Sequence, residues 1–313
     1  MKQCIGIDVG GTTIKFGLFF EDGRLVKKWE IPTRTGGRKE KLYQDIASSV
    51  HKELAAGGMT ARELAGIGVG IPGPVLPDGR IGGLVNLGIH ELNLNAELPP
   101  YLDGVKVSAA NDANAAALGE IWQGGGKDFQ SMVLLTLGTG VGCGVIVNGR
   151  LITGSFGMGG ELGHIIMNPH ETEACNCGGK GCLEQYTSAT GIARMARRQL
   201  AACEMPSSLR AVSGLTARDV LDAAKAGDAL AAEIVDKCMR YLGLAMAYVS
   251  HMTDPECFVI GGGVSRAGEY LLEVIRRHYE SFMHIQKAQA ELRLATLGND
   301  AGIYGAARLI LEK

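Results

Sequence analysis

Three cysteines, Cys175, Cys177 and Cys182, form a Cys-x-Cys-x4-Cys run, and His164 stands upstream of it. Three thiolates and one imidazole make a closed tetrahedral set of the kind that holds structural zinc, because no coordination position is left for water or substrate. His170 is a second imidazole near the same run and ranks behind His164 as fourth ligand. The rival reading is a reduced surface loop without metal. Disulfides are disfavoured in a chain of this size and character, and Cys4, Cys143, Cys203, Cys238 and Cys257 fall mostly in apolar stretches, where a thiol fills core space.

Two glycine-rich turns offer a different chemistry. Val9-Gly10-Gly11-Thr12-Thr13 follows an acid at Asp8, and Gly138-Thr139-Gly140-Val141-Gly142 follows the apolar run Val133 to Leu137. Glycine lets the backbone come close to a ligand, so such turns present N–H groups and hydroxyls to phosphate oxygens. Either turn alone reads as an ordinary tight hairpin. As a pair, with Asp8 to orient hydrated magnesium, they suit a nucleotide-binding cleft with donors for the β- and γ-phosphates. Lys15 reads equally as a phosphate partner or a strand-edge charge. Gly261-Gly262-Gly263-Val264 follows an apparent strand and precedes an apparent helix, which suits close approach to a nucleotide or a plain strand-to-helix turn. Gly68-Val-Gly70-Ile-Pro-Gly73 satisfies the dinucleotide-binding pattern, yet its proline and the lack of a following helix signal exclude that cofactor. Asn111-Asp112 opens a helix. There the positive end of the helix favours an ionised carboxylate able to accept a proton, although a helix cap is the commoner use of such a pair.

These residues need an alternating α/β scaffold. The strand Cys4 to Asp8, its glycine turn, the return Ile14 to Phe20 and the turn Asp22-Gly23-Arg24-Leu25 recur as Val133 to Leu137, a glycine turn, Cys143 to Val147 and Asn148-Gly149-Arg150-Leu151, the mark of an internal duplication. Between the copies, Leu42, Ile46, Val50 and Leu54 predict a helix over about 40–56. Strands are expected at 67–71 and 105–107, and a helix from Asn111 to about Trp122. The second half predicts helices near 191–203, 216–225 and 229–251, strands at 257–260 and 292–297, and a last helix from Gly302.

The 313 residues suit two α/β domains. With 31 basic against 33 acidic residues and a net charge of -2, the chain lacks the basic excess that nucleic acid or an anionic membrane would call for. No apolar run approaches the ~20 residues of a membrane span, and the first strand begins too early for a secretory leader, so a cytoplasmic protein with a small polar substrate is expected.

In order, Asp8-Val-Gly-Gly-Thr12, Asn111-Asp112, Gly138-Thr-Gly140, Gly160-Glu161-Leu-Gly-His164, Cys175-Asn-Cys177-Gly-Gly-Lys-Gly-Cys182-Leu-Glu184 and Gly261-Gly-Gly263 resemble the motifs of the ROK family, which groups sugar kinases with sugar-responsive repressors. The resemblance covers nearly the whole chain, is most specific in the cysteine-rich segment, and in overall pattern points to the family's bacterial glucokinases. It implies the actin and hexokinase-like ATPase fold, an α/β architecture of two lobes with duplicated ribonuclease H-like domains and a cleft. The expected lobes are 1–118, with the C-terminal helix 300–313 packing back on it, and 119–299, carrying the zinc loop.

The resemblance also implies roles: ATP, Mg2+ and structural Zn2+ as cofactors, Asp112 as general base, and Asn86, Asn111, Asp112, Glu161, His164 and Glu184 around the sugar. Asp8, Gly10, Gly11, Thr12, Thr13, Lys15, Gly138, Thr139, Gly140, Gly262 and Gly263 fall on the nucleotide side. It implies a homodimer. Near Asn86 the sequence Gly88-Ile-His90-Glu91 departs from the aromatic that many members carry. The expected activity is phosphorylation of a free hexose, glucose to glucose 6-phosphate. The rivals are a kinase for fructose, allose, mannose or N-acetylmannosamine, and a non-catalytic sugar-sensing regulator. A regulator of this family carries a helix-turn-helix ahead of the body, and here Asp8 lies a few residues from the first residue.

Overall fold

The computed structural model describes residues 1–311 apart from 35, 37, 85–87, 286 and 288. The chain divides into two compact units, one of Met1–Asp128, Gly144–Gly160 and Leu297–Lys313, the other of Phe129–Cys143 and Glu161–Thr296.

The first sheet is built from β1 (Gln3–Val9), β2 (Thr13–Phe20), β3 (Leu25–Pro32), β4 (Leu64–Ile71) and, after the small hairpin β5 (Arg80–Leu84) and β6 (Ile89–Asn93), β7 (Val107–Asn111). Its order is β3-β2-β1-β4-β7, with β1, β4 and β7 parallel and the hairpin strands β2 and β3 antiparallel. The second sheet uses β8 (Met132–Leu137), β9 (Val141–Val147), β10 (Arg150–Leu151), β11 (Cys257–Gly261) and β12 (Glu291–Leu294) in the order β10-β9-β8-β11-β12. The two orders match strand for strand, so the duplication legible in the turns extends to the topology. This mixed α/β architecture is the actin and hexokinase-like fold.

The helices are α1 (Lys39–Ala56), the single turn α2 (Leu94–Glu97), α3 (Asp112–Gln123), the single turn α4 (Glu184–Thr187), α5 (Ala189–Ala202), α6 (Ala217–Lys225), α7 (Ala229–Thr253), α8 (Glu269–Phe282) and α9 (Ala301–Leu311). Among the described residues no helix is long and apolar enough to cross a membrane.

Alternation along β1 decides where its acid goes. Ile5 and Ile7 join the core cluster that holds Ile46 and Val50 of α1, whereas Cys4 joins Ile303, Ala307 and Ile310 of α9. Gly6 and Asp8 share the face of Cys4 by the two-residue period, and that face meets α9. The approach is so close that a Cβ on Gly6 would lie 1.8 Å from the Ile303 carbonyl oxygen, on Gly68 1.6 Å from that of Ala306, and on Gly305 1.5 Å from that of Ala115 in α3. Glycine is therefore required by contact with backbone, which cannot step aside as a side-chain tip can. Gly302, at the start of α9, plays the same part for Asp8, whose Cγ would lie 2.8 Å from an added Cβ.

Three expected boundaries move. The strand expected at 105–107 begins at Val107, because Gly104 takes a positive φ of 80° and Val105 closes a turn on Leu102. Pairing then runs to Asn111, which delivers Asp112 to the end of the sheet. The glycine run 261–263 leads first into a 3-10 turn, Val264–Ala267, and α8 starts only after Gly268. The last strand ends at Leu294 rather than 297, leaving a 3-10 turn, Gly298–Asp300, before α9. The hairpin of β5 and β6 has no counterpart in the sequence-based expectation.

Candidate functional site

In the first unit, Asp8 and Asp112 stand at the C-terminal ends of parallel strands, the usual place for chemistry in such sheets. The register Asp8, Gly70, Ala110 runs across β1, β4 and β7, and Asp112 follows two residues later. Asn111 is the cap of α3: its side-chain oxygen accepts the N–H groups of Ala113 at 2.9 Å and Asn114 at 3.2 Å, and its amide donates to the Gly73 carbonyl at 3.1 Å. Asp112 is thereby the first helical residue, its Oδ1 accepting the Ala113 N–H at 2.8 Å. The side chain reaches solvent, yet desolvation by the protein around it raises its pKa, opposed by the Ala113 N–H and by Asn111. The pKa of Asp8 is also raised, first by burial and then by the charge of Asp112, with Lys15 acting against the shift. Lys15 is the register partner of Asp8 and donates to the Asn299 carbonyl at 3.2 Å.

The first glycine turn is closed by the Gly10 N–H on the Thr13 carbonyl at 3.0 Å and leaves Gly11 and Thr12 exposed at its tip. Thr33, just past β3, braces it: its hydroxyl donates to the Gly10 carbonyl at 2.7 Å and its N–H to that of Thr12 at 2.9 Å.

The second unit carries the second turn, closed by the Gly138 N–H on the Gly140 carbonyl at 3.0 Å with Thr139 exposed. Its brace comes from the segment 184–190. The Ala189 N–H donates to the Gly138 carbonyl, and the Thr190 hydroxyl to that of Thr139, both at 2.8 Å. Gly262, with φ of +82°, backs onto Leu137, where a Cβ would lie 2.5 Å from the backbone. Gly263 instead lines a pocket of about 440 Å³ together with Ala189, Thr216, Leu221, Val264 and Ala267. Arg218 and Asp222, paired at 3.4 Å, also line it.

The ligand atoms of His164, Cys175, Cys177 and Cys182 all lie within 4.8 Å of one another. The Sγ atoms of Cys177 and Cys182 are 3.7 Å apart, and Cys175 Sγ is 3.9 Å from His164 Nδ1. Four ligands at roughly 2.3 Å from zinc in a tetrahedron are spaced by about 3.7 Å, so the donor set fits zinc in both chemistry and spacing. His170 stands outside this set, its N–H on Asn168 Oδ1. Glu161 immediately precedes the 3-10 turn Leu162–His164 that delivers His164. Glu184 opens α4. Asn86 lies outside the described residues.

Several supporting residues escape a local reading. Glu171, buried at the root of the cysteine loop, accepts both terminal nitrogens of Arg198 at 2.8 and 2.9 Å, Arg194 at 3.2 Å and the Tyr186 hydroxyl at 2.9 Å. These donors, led by Arg198, hold its pKa far below the carboxylate range. Nothing short-range in the sequence announces that clamp. Thr216 is the cap of a Thr-x-x-Asp capping box on α6, and nothing in that local pattern marks it as a pocket residue.

The fold and these motifs agree with what the chain resembles. It matches the ROK family over residues 4–313 and belongs to that family. It is 43% identical to the glucokinase of Halalkalibacterium halodurans, over 100% of this chain and 96% of that protein. Among solved structures, the ROK hexokinase of Thermus thermophilus superposes with a TM-score of 0.83 at 32% identity, covering 98% of this chain and 97% of that one. A ROK family glucokinase from Streptomyces griseus, in complex with glucose and AMPPNP, superposes with a TM-score of 0.76 at 31% identity, covering 98% of both chains.

Proposed function

We propose that this chain transfers the γ-phosphate of ATP to a free hexose, glucose first, giving glucose 6-phosphate. The observation that carries the reading is Asp112: a carboxylate at the end of a parallel sheet, relieved of capping by Asn111 and made more basic by its surroundings. It accepts the proton of the attacking sugar hydroxyl as the phosphoryl group moves in line. Asp8 orients hydrated Mg2+, and the N–H groups of each glycine turn serve phosphate oxygens. The pocket beside Gly263 takes the adenosine. Asn86, Asn111, Glu161, His164 and Glu184 supply the polar array for the sugar hydroxyls, the kind of site that rejects sugars leaving buried groups unpaired. Structural zinc on His164 and the three cysteines shapes the loop bearing Glu184. Supported by the family resemblance alone, the chain works in the cytoplasm as a homodimer at the entry to sugar breakdown.

Coupled ADP release with Mg-ATP over a panel of free hexoses tests this, on the native chain and on Asp112→Asn. Glucose should lead the panel, and the variant should lose 10²–10⁴-fold in kcat, the range ordinarily supplied by a general base. A different leading sugar would correct the substrate. Turnover untouched by the substitution would remove Asp112 from the chemistry.

A further inference from the structure

Glu184, placed above among the sugar ligands, makes a second set of contacts that this role does not use. Its Oε2 accepts the N–H of Val141, the residue that leaves the second glycine turn, at 2.9 Å. A Cβ on Gly140 would lie 2.2 Å from that oxygen, so glycine there makes room for the carboxylate. Its Oε1 lies 3.7 Å from Sγ of the cluster residue Cys175. The backbone carries the link further. Glu184 follows the ligand Cys182 by two residues, with the Leu183 N–H between them held on the Ile165 carbonyl at 3.0 Å. The carbonyl of Glu184 accepts the Ser188 hydroxyl at 2.7 Å, and the next residues, Ala189 and Thr190, hold the Gly138 and Thr139 carbonyls.

We infer that Glu184 is a positioning residue that ties the phosphate turn 138–141 to the metal cluster, so that metal occupancy sets nucleotide affinity. This rests on the nucleotide reading of that turn. With the metal in place, Cys182 is fixed and α4 begins where the carboxylate meets the Val141 N–H. Without it, the loop loses its cross-link, and the turn loses a charged acceptor on the residue that shapes it. A hydrogen bond to a charged group is worth roughly ten- to a hundredfold in an equilibrium, and with the braces from Ala189 and Thr190 kept the low end sets the expected size.

The test measures the affinity of AMPPNP with Mg2+ by calorimetry and amide exchange over residues 138–143, on the full chain, zinc-loaded and chelated, with metal content assayed throughout. Glu184→Ala should keep its zinc, bind the nucleotide about tenfold more weakly and exchange faster at Val141. Glu184→Gln, whose amide oxygen still accepts from Val141, should recover most of the loss. Chelation should weaken binding about tenfold in the native chain and little more in Glu184→Ala. Native affinity and native exchange in zinc-loaded Glu184→Ala would overturn the inference, as would a full chelation effect in that variant. A native chain that binds no nucleotide would overturn the phosphate reading of the turn instead, and exchange at Val141 would still decide whether Glu184 ties the turn to the cluster.

Discussion

The two glycine turns solve one problem with different supports. Turn 10–13 is braced within its own sheet, by Thr33 beside the hairpin that the turn itself opens. The sheet behind it is locked to α9 through backbone contacts at Gly6 and Gly68, and α9 in turn to α3 at Gly305. Turn 138–141 is braced from outside its sheet, by the segment 184–190, which begins two residues after Cys182 of the candidate metal cluster. Duplication copied the turn and left the bracing free to diverge. The first unit should hold its turn whatever the state of the metal, and the second should not.

The largest effects should come from breaking the backbone contacts of the first unit. Gly305→Val would place a Cβ 1.5 Å from the Ala115 carbonyl oxygen, which only movement of α3 or α9 can relieve. A cost above the ~1–3 kcal/mol of ordinary overpacking, about 4 kcal/mol, is expected because backbone rather than a side-chain tip must move. Hydrogen exchange should show protection lost over residues 1–128 and largely kept over 161–296. Equal loss in both would mean the units do not hold their stability separately. Next comes the clamp of the second unit. Glu171→Ala leaves Arg194 and Arg198 with Glu173 as their acidic partner among the described residues, and because Arg198 is 37% exposed the cost should fall short of the ~3–5 kcal/mol of a fully buried ion pair. Here the loss should appear as weaker zinc retention and proteolysis within 168–182, with the first unit unchanged. Unaltered zinc affinity would show that the cysteine loop needs no anchor beyond its metal.

Much of this was readable in advance where the signal is local. The paired turns, Asn111-Asp112, the Cys-x-Cys-x4-Cys run and the periodic apolar face of α1 each lie within a few residues, and the structure places them on the expected kinds of element. What stayed illegible depends on long separations. The Glu171 clamp spans to Arg198, and the lock of Gly6 and Gly68 depends on a helix near the other end of the chain. A glycine required by a distant carbonyl looks the same in sequence as one required by a turn. Glu184 was singled out for the sugar, while its bond to Val141 could not be seen, because only the folded backbone shows which N–H a carboxylate meets.

Thr33→Val sharpens the comparison at smaller scale. The swap keeps the volume of the side chain and removes one neutral hydrogen bond, worth about 1 kcal/mol, so AMPPNP affinity should fall about fivefold. The discriminating result is that chelation weakens this variant by the same factor as the native chain, since the brace of the first turn has no metal in it. A smaller chelation effect in Thr33→Val would mean the two turns share one support.

The smallest effect concerns the acid limb of kcat/KM. As the proposed base, Asp112 must be ionised to accept a proton, so activity should fall as the pH drops through its pKa. Burial raises that pKa, and the limb should therefore lie above the ~3.9 of an ordinary aspartate. Asn111 acts against the shift, and it also caps the helix on which Asp112 sits. Asn111→Ala removes an interaction that favours the charged form, so the limb should move further up, alongside about 1 kcal/mol of lost helix stability. The same substitution in a Thr33→Val background should move the limb equally, because Thr33 touches the turn and not the carboxylate. A limb that moves down, or stays in place while the stability falls, would show that Asn111 serves the helix alone and that the basicity of Asp112 is set elsewhere.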